Sequence, residues 1–152
     1  MPTPWLIALD FVAWLIIQPG VAYLCRHVPP ALLIPDRWLY RPRRWEKGGT
    51  VYQHWFRVKR WKHLLPAGGA LFGLFSLRHF SSRQAEYVQT WIQESCRAEL
   101  THWLAIPPAL IFFLWHPWPI VGIMVLYALL VNMPCIIAQR YNRPRLMALL
   151  RH

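Results

Sequence analysis

Residues 118–145 read WPIVGIMVLYALLVNMPCIIAQRYNRPR, and this stretch decides the fold. Positions 118–137 carry no charged residue, and arginines then arrive at 140, 143 and 145. Twenty such residues at about 1.5 Å each cover about 30 Å, the thickness of a bilayer's hydrocarbon core. An apolar run ending in a basic cluster predicts a transmembrane helix with its C-terminal end in the cytoplasm.

Just upstream, Trp115-His116-Pro117-Trp118-Pro119 supplies two prolines and two tryptophans, which predict a tight interfacial turn. Before it, residues 99–115 read as a second span. A third apolar run, 5–24, stands near the N-terminus, with Asp10 inside it and Pro19-Gly20 interrupting it. Its flank has no basic n-region and no small-residue cleavage site follows, so it reads as a retained anchor. Asp10 is expected to meet His116 or a Trp N–H, or to lie shallow enough to stay wet.

Topology follows from Lys and Arg alone. Residues 1–25 contain none, residues 26–97 contain thirteen, the 115–119 turn contains none, and the tail from Arg140 contains four, completing the seventeen. The middle segment and tail are therefore expected in the cytoplasm, with the N-terminus and turn outside, in a multi-pass protein of the cell (plasma) membrane. Charged residues are 15% of the chain, well below the roughly 25% of soluble domains, while ten of 152 residues are Trp. A net charge of +11 beside apolar spans points to membrane lipids or a phosphate-bearing substrate, with no nucleic acid expected. Cys25, Cys96 and Cys135 have no metal-like spacing and are expected as reduced thiols.

The fold class is thus an all-α integral membrane protein: about three transmembrane helices plus interfacial or re-entrant cytoplasmic helices, in one domain over 1–152. The basic segment spans 26–98 and the tail 138–152. Within the former, residues 64–77 (LLPAGGALFGLFSL) are apolar but too short to span, so they are expected to re-enter or lie in the interface. Residues 82–98 read as an amphipathic helix capped by Ser81 or Ser82. Tyr87, Trp91, Ile92 and Cys96 would form its apolar side, and the helix would run on into the second span.

Three constellations could carry chemistry. Glu99 and His102 stand at i and i+3 on one helix face, as a general base with its orienting carboxylate would. Both could equally sit among headgroups. A di-iron site would need a second Glu-x-x-His and two further carboxylates, so no metal is expected. Arg57, Lys59, Arg60 and Lys62 alternate with aromatics, either as interfacial snorkelling or as a clamp for an anionic substrate. Asn132, Gln139, Arg140, Asn142 and Arg143 surround Pro134, which is expected to free the Leu130 carbonyl; Pro107-Pro108 would free that of Trp103. Helix-dipole complementation by basic residues is the plainer account of that cluster.

Phe56-Arg57-Val58-Lys59-Arg60-Trp61-Lys62, Pro66-Ala67-Gly68-Gly69, Arg97-Ala98-Glu99-Leu100 with His102-Trp103, Asn132-Met133-Pro134 and Gln139-Arg140-Tyr141-Asn142-Arg143-Pro144-Arg145 occur in order. Together they resemble the glycosyl-4,4'-diaponeurosporenoate acyltransferase family, which performs the last step of staphyloxanthin-type carotenoid synthesis. The resemblance covers about 45–150 and extends weakly through 14–18. It implies a membrane O-acyltransferase that esterifies a sugar 6-hydroxyl of a glycosylated carotenoid, or of a related glycolipid, with a fatty acyl group. On that reading His102 is the base oriented by Glu99. Arg140, Arg143 or Asn142 would stabilise the oxyanion, and Arg57, Lys59, Arg60 and Lys62 would hold the phosphates of the donor. Asn132 and Gln139 would contact substrate, and the 64–77 segment would line the acyl pocket. No bound cofactor is expected, and the donor would be a fatty acyl thioester of coenzyme A or acyl carrier protein. Another lipid-modifying enzyme, such as a methyltransferase or reductase, and a non-enzymatic polybasic scaffold are the rival readings.

Overall fold

The computed structural model of the chain describes residues 3–65, 77 and 80–151, and every regular element among them is helical. The α-helices are α1 (Thr3–Arg26), α2 (Thr50–Phe56), α3 (Val58–Trp61), α4 (Ala85–Leu104) and α5 (Trp118–Leu149). Short 3-10 turns lie at Pro30–Leu32, Arg44–Gly49 and Lys62–Leu64, with a longer one at Pro107–Leu114. Of the stretch 64–77, expected to re-enter or lie in the interface, residues 66–76 lie outside the described residues.

Helices α1 and α5 are long and apolar enough to cross a membrane. No residue in the apolar stretch of α1 is fully buried, and its Trp5, Phe11, Leu15 and Leu24 are exposed. Helix α5 changes character along its length. Trp118, Ile123, Leu126 and Leu130 are bare, whereas Asn132, Cys135, Ile136, Tyr141 and Arg143 are enclosed. Pro134 and Pro144 lie inside α5, and the helix continues through both.

The second expected span takes a different form. Helix α4 ends at Leu104, and residues Pro107–Leu114 continue as 3-10 helix. Pro107 and Pro108 have no N–H for an α-helical bond and disfavour the α conformation before them. The Trp103 carbonyl is not left free; it accepts from Ile106 N–H at 3.4 Å. A 3-10 helix rises about 2 Å per residue, so its eight residues climb about 16 Å.

That climb lets the segment run beside α1 and α5. At one end Asp10 Oδ1 accepts from Trp115 Nε1 at 2.8 Å, and the Asp10 carboxylate accepts from His116 Nε2 at 2.9 and 3.0 Å. The pairing expected for Asp10 is therefore formed with both groups. Midway, the Trp14 ring lies 5.3 Å from the rings of Phe112 and Tyr127. Ala109 and Ala128 are fully buried, and their small side chains permit close approach. At the far end Arg97 Nη1 donates to the carbonyls of Cys25, Arg26 and Val28 at 2.9–3.1 Å. It thereby satisfies groups that the end of α1 leaves without an intrahelical partner.

Helix α4 begins at Ala85, three residues later than expected, with no side-chain cap. Ser82 Oγ instead accepts from Gln84 N–H at 3.2 Å, and Ser81 Oγ bonds the Tyr87 hydroxyl. Its buried stripe is Val88, Trp91, Ile92, Ser95, Cys96 and Glu99, a helical spacing of three and four. Tyr87 packs half-buried at the margin, and Val88 takes the central place. The α4 stripe faces the enclosed half of α5 through Trp91 and Leu146.

The basic segment folds over α5. Tyr52 and Val58 pack on Tyr141, with Trp61 and Ile137 beside them. Gly49, at φ +84°, sits so close to α5 that a Cβ would stand 3.0 Å from the Tyr141 carbonyl oxygen and 3.2 Å from that of Arg140. The three cysteines are free and buried.

A candidate active site between helices α4 and α5

Two polar centres occupy the α4–α5 contact. In the first, His102 Nδ1 lies 2.8 Å from Asn132 Oδ1, while Asn132 Nδ2 donates to the Ala128 carbonyl at 2.8 Å. Because the Asn132 amide donates along its own helix, its oxygen faces the ring. Nδ1 must then carry the proton, which leaves Nε2 as the basic nitrogen.

The second centre is a charge network around Glu99, whose side chain is fully buried. Its Oε1 accepts from Arg140 Nε at 2.7 Å and from Trp103 Nε1 at 3.3 Å. Its Oε2 lies 2.7 Å from Arg143 Nη1. That contact is an ion pair outside hydrogen-bond geometry, while Nη1 donates to the Tyr40 carbonyl at 3.0 Å. Arg143 Nη2 donates to Ser95 O and Oγ, and Arg143 Nε has no partner. Arg140 Nη1 reaches Glu46 Oε1 at 2.6 Å and Nη2 the Leu39 carbonyl at 2.6 Å. Tyr52 donates its hydroxyl proton to Glu46 Oε1 at 3.0 Å. Burial, and next the Glu46 carboxylate, hold that phenol above its ordinary value. Burial likewise pushes Tyr40 up to about 12.

Beside this network lies a cavity of about 320 Å³. Lys62, His63, Gln139, Asn142 and Arg145 form its polar side, and Trp91 and Leu146 belong to its apolar side. Lys62 Nζ donates to Asn142 Oδ1 at 2.8 Å. Burial, then Arg145, then Lys59, lower the Lys62 pKa from its ordinary value of 10.5.

A family model described as glycosyl-4,4'-diaponeurosporenoate acyltransferase matches residues 36–152. Proteins of that name from Staphylococcus aureus strains bovine RF122 / ET3-1, MRSA252 and USA300 are each 37% identical over 139 residues. The match covers 91% of this chain and 84% of each relative. The chain belongs to the glycosyl-4,4'-diaponeurosporenoate acyltransferase family. No solved structure matches it.

Set within this family, the expected site residues divide into groups. His102 and Asn132 meet directly. Glu99 does not orient His102, because both its oxygens face Arg140 and Arg143. A guanidinium offers a buried carboxylate a permanent charge, which a neighbouring imidazole lacks. The oxyanion role expected of Arg140 and Arg143 finds no support here, since protein partners hold both groups, and Arg143 is 1% exposed. Asn142 joins Lys62 instead of His102. Of the four expected clamp residues, Arg57, Lys59 and Arg60 point to the exposed surface and only Lys62 reaches the cavity. Arg57 has φ +49° at the junction of α2 and α3. Gln139 lines the cavity with a buried, unpartnered Oε1. Among the described residues no group of three or more His, Cys, Asp or Glu gathers as metal ligands would.

Sequence reasoning missed Glu46, Tyr40, Ser95 and Trp91. Glu46 had one signal: it shares the strongly basic 26–63 stretch with a single other acid, Asp36. Tyr40 and Ser95 contribute mainly backbone carbonyls, which leave no trace in residue type.

Proposed function

We propose that this chain is a membrane O-acyltransferase that esterifies a sugar hydroxyl of a glycosylated carotenoid with a fatty acyl group. The observation that carries this reading is 37% identity over 91% of the chain to proteins named for that reaction. The donor is a fatty acyl thioester. The hydroxyl oxygen attacks the thioester carbonyl, the C–O ester bond forms and the C–S bond breaks. His102 Nε2 takes the hydroxyl proton and returns it to the departing thiolate, so the histidine ends as it began. Asn132 holds the ring in the tautomer this requires, in the way the third member of a catalytic triad orients its histidine.

The bilayer is the solvent for the bare helices. Exposed Trp5, Phe11, Leu15, Leu126 and Leu130 would cost about 1.5–3 kcal/mol each if left in water, and lipid tails remove that cost. Residues 5–24, 99–115 and 118–137 cross the cell membrane, the middle one partly as 3-10 helix. Asp10, Trp115 and His116 stand at the outer boundary, and the Arg-rich segment and tail lie in the cytoplasm. Lipids are thus the chain's first partners, and the acceptor's apolar body shares their layer.

Purified chain in lipid nanodiscs, given radiolabelled fatty acyl-CoA or acyl carrier protein and a glycosylated carotenoid, should form the ester. His102→Ala should slow this by about 10²- to 10⁴-fold. A wild-type rate in that variant, with its fold intact, sinks the base assignment. Failure to acylate any glycosylated carotenoid or glycolipid, from any donor, sinks the transferase reading.

A further inference from the structure

The 320 Å³ cavity holds features that the acyl-transfer reading does not by itself require. Trp91 is 95% buried against solvent, at 5% exposure, yet its Nε1 has no hydrogen-bond partner. Gln139 Oε1, on the facing helix, is also buried and unpartnered. Buried polar groups are almost always paired, so one open donor and one open acceptor on residues that line the same cavity call for a ligand. A group that accepts from the indole and donates to the carboxamide oxygen would answer both. A secondary amide has that pair of functions.

Charge points the same way. Lys62 and Arg145 line the cavity, and Lys59 stands close enough to depress the Lys62 pKa. Glu46, Glu94, Glu99 and Asp10 form ion pairs, all with other partners. Cations gathered without a carboxylate favour an anion such as phosphate. Among the described residues Lys62 and Arg145 meet only neutral partners, Asn142 and Tyr141, so a neutral sugar would bring them no countercharge, and a diacyl phospholipid linked by esters offers no amide.

Position adds an order. Along α5, Arg145 lies thirteen residues beyond Asn132 and Gln139 seven, so about 20 Å and about 10 Å of helix separate them from the His102–Asn132 pair. Trp91 lies eleven residues before His102 on α4, about 16 Å along its axis. From the cytoplasmic end the features are cations, then amide-matching groups, then the basic nitrogen. A phosphopantetheine arm carries phosphate, then two amides, then sulfur.

We propose that this cavity binds the 4'-phosphopantetheine arm of the acyl donor, with phosphate on Lys62 and Arg145, its amides on Trp91 and Gln139, and its thioester directed toward His102. The assignment rests on the acyl-transfer reading above and adds the donor's recognition site to it. Coenzyme A and acyl carrier protein share this arm, so both are expected to compete for the cavity.

The test measures binding of hexadecyl-CoA, a thioether that cannot transfer its chain, to the full chain in nanodiscs. Hexadecyl-pantetheine, which lacks the phosphate, is measured beside it. Trp91→Phe removes the N–H together with the pyrrole half of the indole; Gln139→Leu removes the acceptor. Each should weaken both ligands about tenfold, the scale of one hydrogen bond. Lys62→Gln and Arg145→Gln should weaken hexadecyl-CoA and leave hexadecyl-pantetheine unchanged. Apo acyl carrier protein, lacking the arm, should not displace hexadecyl-CoA, whereas the holo form should. Unchanged binding of both ligands in all four variants overturns the assignment. So does a rise in the KM for the glycosylated carotenoid, rather than for the donor, in Trp91→Phe and Gln139→Leu. Ester formation from a phospholipid donor that hexadecyl-CoA fails to inhibit also overturns it, while leaving the transferase reading standing. Tight binding of hexadecyl-CoA without ester from any donor does the reverse.

Discussion

His102 and Asn132, thirty residues apart in sequence, meet at 2.8 Å through Nδ1 and Oδ1. The histidine sits near the end of α4 and the asparagine where α5 passes from its bare half to its enclosed half. This contact selects one imidazole tautomer and directs the other nitrogen away from Asn132. Replacing Asn132 by Ala should therefore lower kcat by tenfold or more with little change in KM, because orientation matters most in the transition state. Steady-state kinetics with varied donor and acceptor check this. A change confined to the acceptor KM would mark Asn132 as a binding group instead.

Glu99 should behave as a stability residue. Glu99→Ala leaves Arg140 and Arg143 buried without their shared carboxylate, and breaking such a pair costs about 3–5 kcal/mol. Thermal unfolding in detergent should show a large loss of stability and low recovery of folded protein. A joint change of Glu46, Glu99, Arg140 and Arg143 to apolar residues of similar volume, which leaves no carboxylate of the network stranded, should regain part of that loss. Glu99→Ala with wild-type stability and a selective loss of kcat would restore the carboxylate to the catalytic machinery.

Gly49 and its neighbour Gly48 separate two effects of glycine. Both have positive φ, +84° and +63°. An alanine Cβ at Gly48 meets nothing within 4 Å, whereas at Gly49 it meets α5 backbone oxygens at 3.0 and 3.2 Å. Gly48→Ala should cost about 1 kcal/mol, the price of a left-handed alanine. Gly49→Ala should cost clearly more, because the loop must also lift from α5. Unfolding curves of the two variants side by side decide it.

Lys62 predicts a pH effect. Its folded pKa lies below the ordinary 10.5, chiefly from burial and next from Arg145 and Lys59. The unfolded chain therefore binds the proton more tightly, and folding is penalised while the ammonium is charged. The sign follows: stability rises as pH climbs from the lowered value toward 10.5. Lys62→Met should remove that rise. Binding of an anionic donor should show the opposite trend, weakening as Lys62 loses its proton. Unfolding and donor binding measured across this alkaline range test both signs.

Apolar length and charge placement are local properties, and they were legible in residues 5–24 and 118–137, in the seventeen one-sided cations and in the amphipathic repeat around Trp91. The order of motifs along the chain likewise carries the family. Helix boundaries follow less well: the expected second span, 99–115, holds Pro107-Pro108, which have no N–H to offer, and the chain there becomes 3-10 helix. The pairing of polar side chains was beyond the sequence. Glu99 and His102 are neighbours by helical spacing, yet tertiary packing brings Arg140 and Arg143 to the carboxylate and Asn132 to the imidazole. Which α5 residues face α4 depends on the register of two packed helices, and a buried carboxylate takes the strongest permanent cation within reach. Spacing along one helix made His102 a candidate; only the fold of the second helix against it chose its partner.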